Sequence, residues 1–198
     1  MLKSVKLQNV MLQMGMDMNL IDYPEFSATG RDHRMPFVYD SEKNCHIVDK
    51  YNRVNFMTYY NCLQVSRWAK YTGVTNFKLH LTMKGKVSVD LYEVYTASVN
   101  VCYNSLGSGV YKCDEVTEVV IDIPASDKAL VGFRMNVLED TEIYSGYYSA
   151  EIEEDRIRDV KISLATTTFK KQEYIKRNIG LIKKHVLYDG SDLKGHMF

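Results

Sequence analysis

The sequence predicts a mainly β chain: an antiparallel β-sandwich of jelly-roll type over residues 1–155, followed by a truncated βα unit over residues 156–198. Three observations predict it. Apolar and polar residues alternate with period two in several separate stretches, the pattern of half-buried strands. Turn residues separate these stretches without intervening helical periodicity, which favours a sandwich over an α/β layout. After "EIEEDRIRD", residues 151–159, the pattern changes to an apolar strand, a Thr-rich turn and an amphipathic helix.

In chain order, Lys6 to Gln13 reads as a strand with Val10 and Leu12 on its apolar face. Asp17 to Lys50 carries Pro24, Pro36, Gly30 and many charges, and reads as long loops. Phe77, Leu79, Leu81 and Met83 alternate with Lys78, His80 and Thr82. The Lys-Gly-Lys at Gly85 then reads as a hairpin turn, with Val87, Val89 and Leu91 on the return strand. A third strand is expected near Ser98 to Tyr103, with Gly107 and Gly109 in the loop after it. Val116 to Ile123 is a β-branched run that Pro124 ends. Phe133, Met135 and Val137 predict one further strand, and Tyr148, Ala150 and Ile152 another.

Val160, Ile162 and Leu164 then suit a strand of a parallel sheet. Ile175, Ile179, Ile182 and Val186 fall 4, 3 and 4 apart, on one helical face, with Lys176, Arg177, Lys183 and Lys184 on the other. Strand, turn and helix make half of a βαβ unit, whose second strand is expected beyond Phe198.

Composition removes several function classes. The 25 basic and 25 acidic residues balance, so nothing electrostatic points to nucleic acid. No apolar run approaches the ~20 residues of a membrane span, and the N-terminus, interrupted by Lys3, Lys6 and Asp17, is no signal peptide. Cys45, Cys62, Cys102 and Cys113 show no Cys-x-x-Cys spacing, which argues against zinc and for free thiols in the cytoplasm. The 15 tyrosines suit strands and half-wet surfaces.

"TTTFKKQEYIKRN", residues 166–178, resembles the first strand–turn–helix of inverting family 2 glycosyltransferases, which opens with an apolar strand and Thr-Phe-(Lys/Asn)-Arg. "YYNCLQVSRWAKYTGV", "GKVSVDLYEV" and "SGYYSAEIEE…VKISL" are similar to the β-sandwich domain preceding the catalytic domain of galactofuranosyltransferase-like enzymes. The resemblance covers the chain from about Phe56 onward. It implies that Thr168, Phe169 and Lys171, with Thr167 as a weaker candidate, line the uracil and ribose pocket of a UDP-sugar. Lys171 stands where the family has Arg, keeping the charge but losing the planar fork.

The family's Asp-x-Asp, which holds Mg or Mn on the sugar-nucleotide diphosphate, occurs nowhere in this chain, and its catalytic base lies further downstream. The expectation is an enzyme that transfers a sugar, galactofuranose by resemblance, from a UDP donor to a cell-surface or cell-wall polysaccharide. This piece is expected to be non-catalytic, without cofactor, and to serve acceptor binding or homo-oligomer contacts. The expected location is cytoplasmic, with the inner face of the plasma membrane as a peripheral alternative. The rival reading is a stand-alone carbohydrate-binding or protein-interaction module.

Trp68, the single Trp, and Tyr71 are candidate glycan contacts, although a lone Trp in a sandwich is more often a core anchor. Tyr59, Tyr60, Tyr147 and Tyr148 extend that candidate face, with sheet packing as the plainer explanation. Asp32 and His33 form an apparent acid/base pair but are adjacent, so solvent exposure is the simpler reading.

Overall fold

The computed structural model describes residues 1–12, 25–27, 37–58, 60–97, 100–124, 126, 130–157 and 172–185. The chain divides into two compact units, Met1–Glu154 and Asp155–Phe198.

The first unit is mainly β and antiparallel. Its strands are β1 (Leu2–Asn9), β2 (Glu25–Ser27), β3 (Phe37–Asp40), β4 (Cys45–Val48), β5 (Arg53–Asn55), β6 (Phe77–Ala97), β7 (Asn100–Ile123) and β8 (Leu130–Glu153), with one helix, α1 (Val65–Thr72), between β5 and β6. β6 lies between β7 and β8. The other edge of β8 is shared end to end by three short strands: β5 along 134–136, β4 along 141–143 and β1 along 147–153. β2 adds to β5 and β3 to β4.

The 24 residues of β8 would reach about 80 Å if straight, several times the ~15 Å radius of gyration of a compact unit of this size. The long strands must therefore bend. Phe133 and Tyr148 lie on the same strand, yet their rings meet edge to face with centroids 6.5 Å apart; a straight strand would hold them ~50 Å apart. The sheet folds back on itself around one core, an arrangement consistent with the expected β-sandwich. That core takes Leu79, Leu81 and Met83 from the first half of β6 and Val87, Val89 and Leu91 from the second.

Gly85 makes the bend possible. Its φ is +125°, and an added Cβ would lie 2.5 Å from Thr141 Oγ1 and 2.7 Å from the Asp140 carbonyl oxygen. The register slips at the same level. Met83 pairs with Thr117 and Gly85 with Cys113, so Asp114, Glu115 and Val116 bulge opposite Lys84.

Several expectations need correction. Gly85 is no hairpin turn: β6 runs unbroken from Phe77 to Ala97. Gly107 and Gly109 sit inside β7, where Leu91 pairs with Gly107 and Tyr92 with Ser105, leaving Leu106 as a bulge. The two strands expected around Phe133 and Tyr148 are one, β8. β1 ends at Asn9, and Val10 and Leu12 are buried just beyond it. The stretch read as loops holds β3, β4 and the three residues of β2, and the region read as purely β holds α1. By contrast, Phe133, Met135 and Val137 are buried as expected, as are Tyr148 and Ala150, and β7 stops at Ile123 before Pro124.

α1 follows from Val65, Trp68 and Thr72 on one face. Val65 is buried and Trp68 packs on the core. Gly73, at φ +69°, ends the helix, its N–H donating to the Ala69 carbonyl.

In the second unit the helix α2 spans Gln172–His185. Ile175 and Ile182 are half-buried, Ile179 is 38% exposed, and Val186 lies outside the described residues. The expected strand Val160–Ala165 also lies outside them, so the βα unit stays an expectation.

Candidate functional site

β6, β7 and β8 alternate between the core and an outer face. On the outer face His80 from β6, Glu118 from β7, and Tyr147 and Ser149 from β8 come together. His80 Nε2 and Ser149 Oγ share a hydrogen bond of 2.7 Å, and His80 Nδ1 lies 3.3 Å from Glu118 Oε2. The Tyr147 hydroxyl donates to Glu118 Oε1 at 3.0 Å, and its ring stacks on the His80 ring at 4.3 Å and 9°. Lys6 places Nζ 5.0 Å over the same ring. Burial and the bond to Glu118 push the Tyr147 phenol up.

Serine, histidine and carboxylate in contact have the order of a nucleophile, a base and its orienter. Access decides against catalysis. Ser149 is 1% exposed and His80 7%, so the hydroxyl is covered rather than offered to a substrate. The cluster ties three strands together.

A second polar feature is a groove of about 340 Å³ over the bend at Gly85, lined by Lys43, Lys84, Lys112, Glu139, Asp140 and Glu142 among others. Its charges largely satisfy one another. Lys43 bonds Glu142, and Lys112 lies 3.2 Å from Asp114. The Tyr144 hydroxyl donates to Glu142 Oε2 at 2.8 Å. That bond pushes the Tyr144 phenol up to about 12, and the Lys43 bond pulls the Glu142 carboxyl down.

The candidates from sequence are dispersed. Trp68 is half-buried against the core, while Tyr71 on the same helix is 73% exposed, with Lys70 Nζ 5.2 Å over its ring. Tyr60 is exposed, whereas Tyr148 is fully buried and donates its hydroxyl to the Asn61 carbonyl at 2.9 Å. Tyr59, Asp32 and His33 lie outside the described residues, as do Thr167, Thr168, Phe169 and Lys171. Among the described residues no group of three or more His, Cys, Asp or Glu is placed to hold a metal ion. All four cysteines are free, and burial pushes the Cys62 thiol up to about 12. The His80 cluster escaped the sequence reading because its members are up to 69 positions apart. The only local sign was the place of His80 on the polar side of an alternating strand.

A family model described as galactofuranosyltransferase 2 N-terminal matches residues 29–151, more than half of the chain. No curated protein matches. Among solved structures, the CBM22-1–GH10 modules of Clostridium thermocellum endo-1,4-β-D-xylanase 10B, complexed with xylohexaose, align at 12% identity and a TM-score of 0.33. The alignment covers 62% of this chain and 23% of that one, and likeness this low carries no argument about fold or ligand.

Proposed function

Because the chain belongs to the galactofuranosyltransferase 2 N-terminal family, we propose that it is the non-catalytic N-terminal region of a glycosyltransferase. The complete enzyme transfers galactofuranose from a UDP-sugar to a cell-surface or cell-wall polysaccharide. The match over residues 29–151 is the observation that carries this reading. In it, residues 1–155 are an accessory β-sandwich that holds acceptor or mediates homo-oligomer contacts, and residues 156–198 begin the catalytic fold. The boundary between compact units at Glu154 and Asp155 supports that division.

Thr168, Phe169 and Lys171, helped by Thr167, contribute one wall of the nucleotide pocket in this reading. Backbone N–H groups and hydroxyls at the start of a helix suit a nucleotide, and a lysine in place of arginine contributes charge without a bidentate grip. The Asp-x-Asp that would hold the metal of such a transfer is not among these 198 residues. Trp68 and Tyr71 remain the proposed glycan contacts, with Tyr71 the more accessible. No described helix is long and apolar enough to cross a membrane. By family resemblance the proposed location is the cytoplasm, with the inner face of the plasma membrane as a peripheral alternative. A second reading, a free-standing carbohydrate-binding or interaction module, draws support from the compactness of Met1–Glu154 by itself.

The coding sequence beyond residue 198 discriminates between the two. A downstream Asp-x-Asp within another ~100 residues of α/β pattern supports the enzyme. In the laboratory, the complete gene product should transfer galactofuranose from UDP-galactofuranose to a glycan acceptor, while residues 1–198 alone bind UDP weakly or not at all. Tight UDP binding by the 198-residue chain, or an inactive complete product, overturns the reading.

A further inference from the structure

We propose that the edge strand β7 joins a second copy of this chain, continuing both layers of the sheet across a two-fold axis. The proposal rests on the oligomer contacts assigned above to this region and names the surface that makes them.

Among the described residues β7 pairs only with β6. Unpaired edges are normally guarded by charged residues, proline, bulges or short length. β7 is 24 residues long and holds no proline. Its guards are the bulges at Leu106 and Asp114–Val116 and the charges of Lys112, Asp114, Glu115, Glu118 and Asp122, which the two-fold register pairs or leaves at the bend. Along it Val110, Val116 and Val120 are 61%, 50% and 47% exposed. This is an edge suited to receiving another strand.

The bend dictates how a second copy fits. β7 turns back at Asp114–Val116, so its first half pairs with the second half of β6 and its second half with the first. The free edge is therefore U-shaped, with one arm in each layer and its apex at Glu115. Two such edges placed side by side, apex beside apex, run antiparallel in both layers. Residues equidistant from Glu115 then meet: 107–113 of one copy lie against 117–123 of the other, twice over. The register follows from the apex position.

The side chains match in that register. Lys112 comes opposite Glu118 of the partner, an opposite-charge cross-strand pair added to the contacts Glu118 makes with Tyr147 and His80, and Lys112 with Asp114, in their own chain. Val110 meets Val120, joining two exposed β-branched residues of each copy, and Ser108 meets Asp122. Asp114 and Glu115 fall at the apex, where water screens them. Between the arms of the U lies a cleft of about 170 Å³, lined by Leu106, Tyr111, Ile121 and Pro124 among others. It is well below the roughly 300 Å³ of an ordinary ligand pocket. It is the open mouth of the core between the layers, and a neighbouring copy closes it.

Sedimentation velocity of the 198-residue protein across micromolar concentrations tests this, with circular dichroism confirming that each variant is folded. The wild type should show a reversible dimer. Val110→Lys, at an exposed outer position, should weaken it tenfold or more, and so should Glu118→Lys, which sets like charges opposite each other. The double variant K112E/E118K exchanges the two charges and should restore the dimer. A wild type that stays monomeric at every concentration overturns the interface and leaves the glycosyltransferase reading to its own activity test. A dimer unaffected by Val110→Lys and Glu118→Lys places the contact elsewhere and equally overturns it.

Discussion

The two faces of β6 and β8 share the same backbone but hold together in different ways. The inner face is one apolar body: Leu79, Met83, Val87, Val89, Phe133 and Met135 are each at most 1% exposed and belong to a single cluster. The outer face is a set of discrete polar ties, such as Lys78 with Glu151 at 2.8 Å and His80 with Ser149. Each inner side chain is in contact with several others, so a loss there propagates. Each outer tie involves two to four groups, some exposed enough for water to replace a lost partner and some, like His80 and Ser149, covered. Stability therefore resides on one side of the pleat, and the other side is free to differ.

The comparison is tested most severely at Phe133, which stacks on Phe56 at 4.5 Å and touches Tyr148. Phe133→Ala should cost about 3–5 kcal/mol in denaturant unfolding; a loss below ~1 kcal/mol would mean the inner face is not one body. Gly85→Ala should follow with about 2–4 kcal/mol, since the new methyl meets backbone at a positive φ. Tyr148→Phe keeps the ring but leaves the Asn61 carbonyl without its donor, a loss of about 1–2 kcal/mol. On the outer face, Glu118→Gln should cost about 1 kcal/mol or less. An outer loss equal to that of Phe133→Ala would erase the distinction between the faces.

The smallest effect concerns pH. Burial lowers the folded-state pKa of His46 below its ordinary 6.5. Just below pH 6.5 the unfolded chain therefore binds more protons than the folded one, so stability falls as pH is lowered through that window and recovers as it rises. Glu142, pulled down by Lys43, acts in the same sense at lower pH, with stability lost as pH falls from 4.5 through its folded pKa. Melting temperatures between pH 7 and 5.5 should decline gently, and His46→Gln should flatten the decline.

The inner face was legible in the sequence because the pleat imposes period two and burial selects apolar residues at each inward position, as from Phe77 to Met83 and Phe133 to Val137. The bends were not. Glycine supplies a positive φ to a hairpin turn and to a bend within a strand alike, and only the pairing of its neighbours Lys84 and Lys86 with Glu142 and Glu139, far along the chain, decides that Gly85 is the latter. α1 was hidden by its brevity, eight residues with one apolar side. β2 to β5 were hidden because three- or four-residue strands depend on their neighbours more than on their own pattern. For the candidate site, Trp68 was readable as a core anchor, whereas the outer-face cluster exists only after three strands have met.

β8 has a consequence for how this domain comes into being. β1, made before the other described strands, pairs among the described residues only with β8, and β4, β5 and β6 also dock on β8. On a ribosome, the opening residues must wait until nearly the whole of Met1–Glu154 has emerged before their hydrogen bonds can form. The pairs β2–β5, β3–β4 and β6–β7 can form before β8 is made, so β1 is the strand with the longest wait, and ample time to be held by a chaperone.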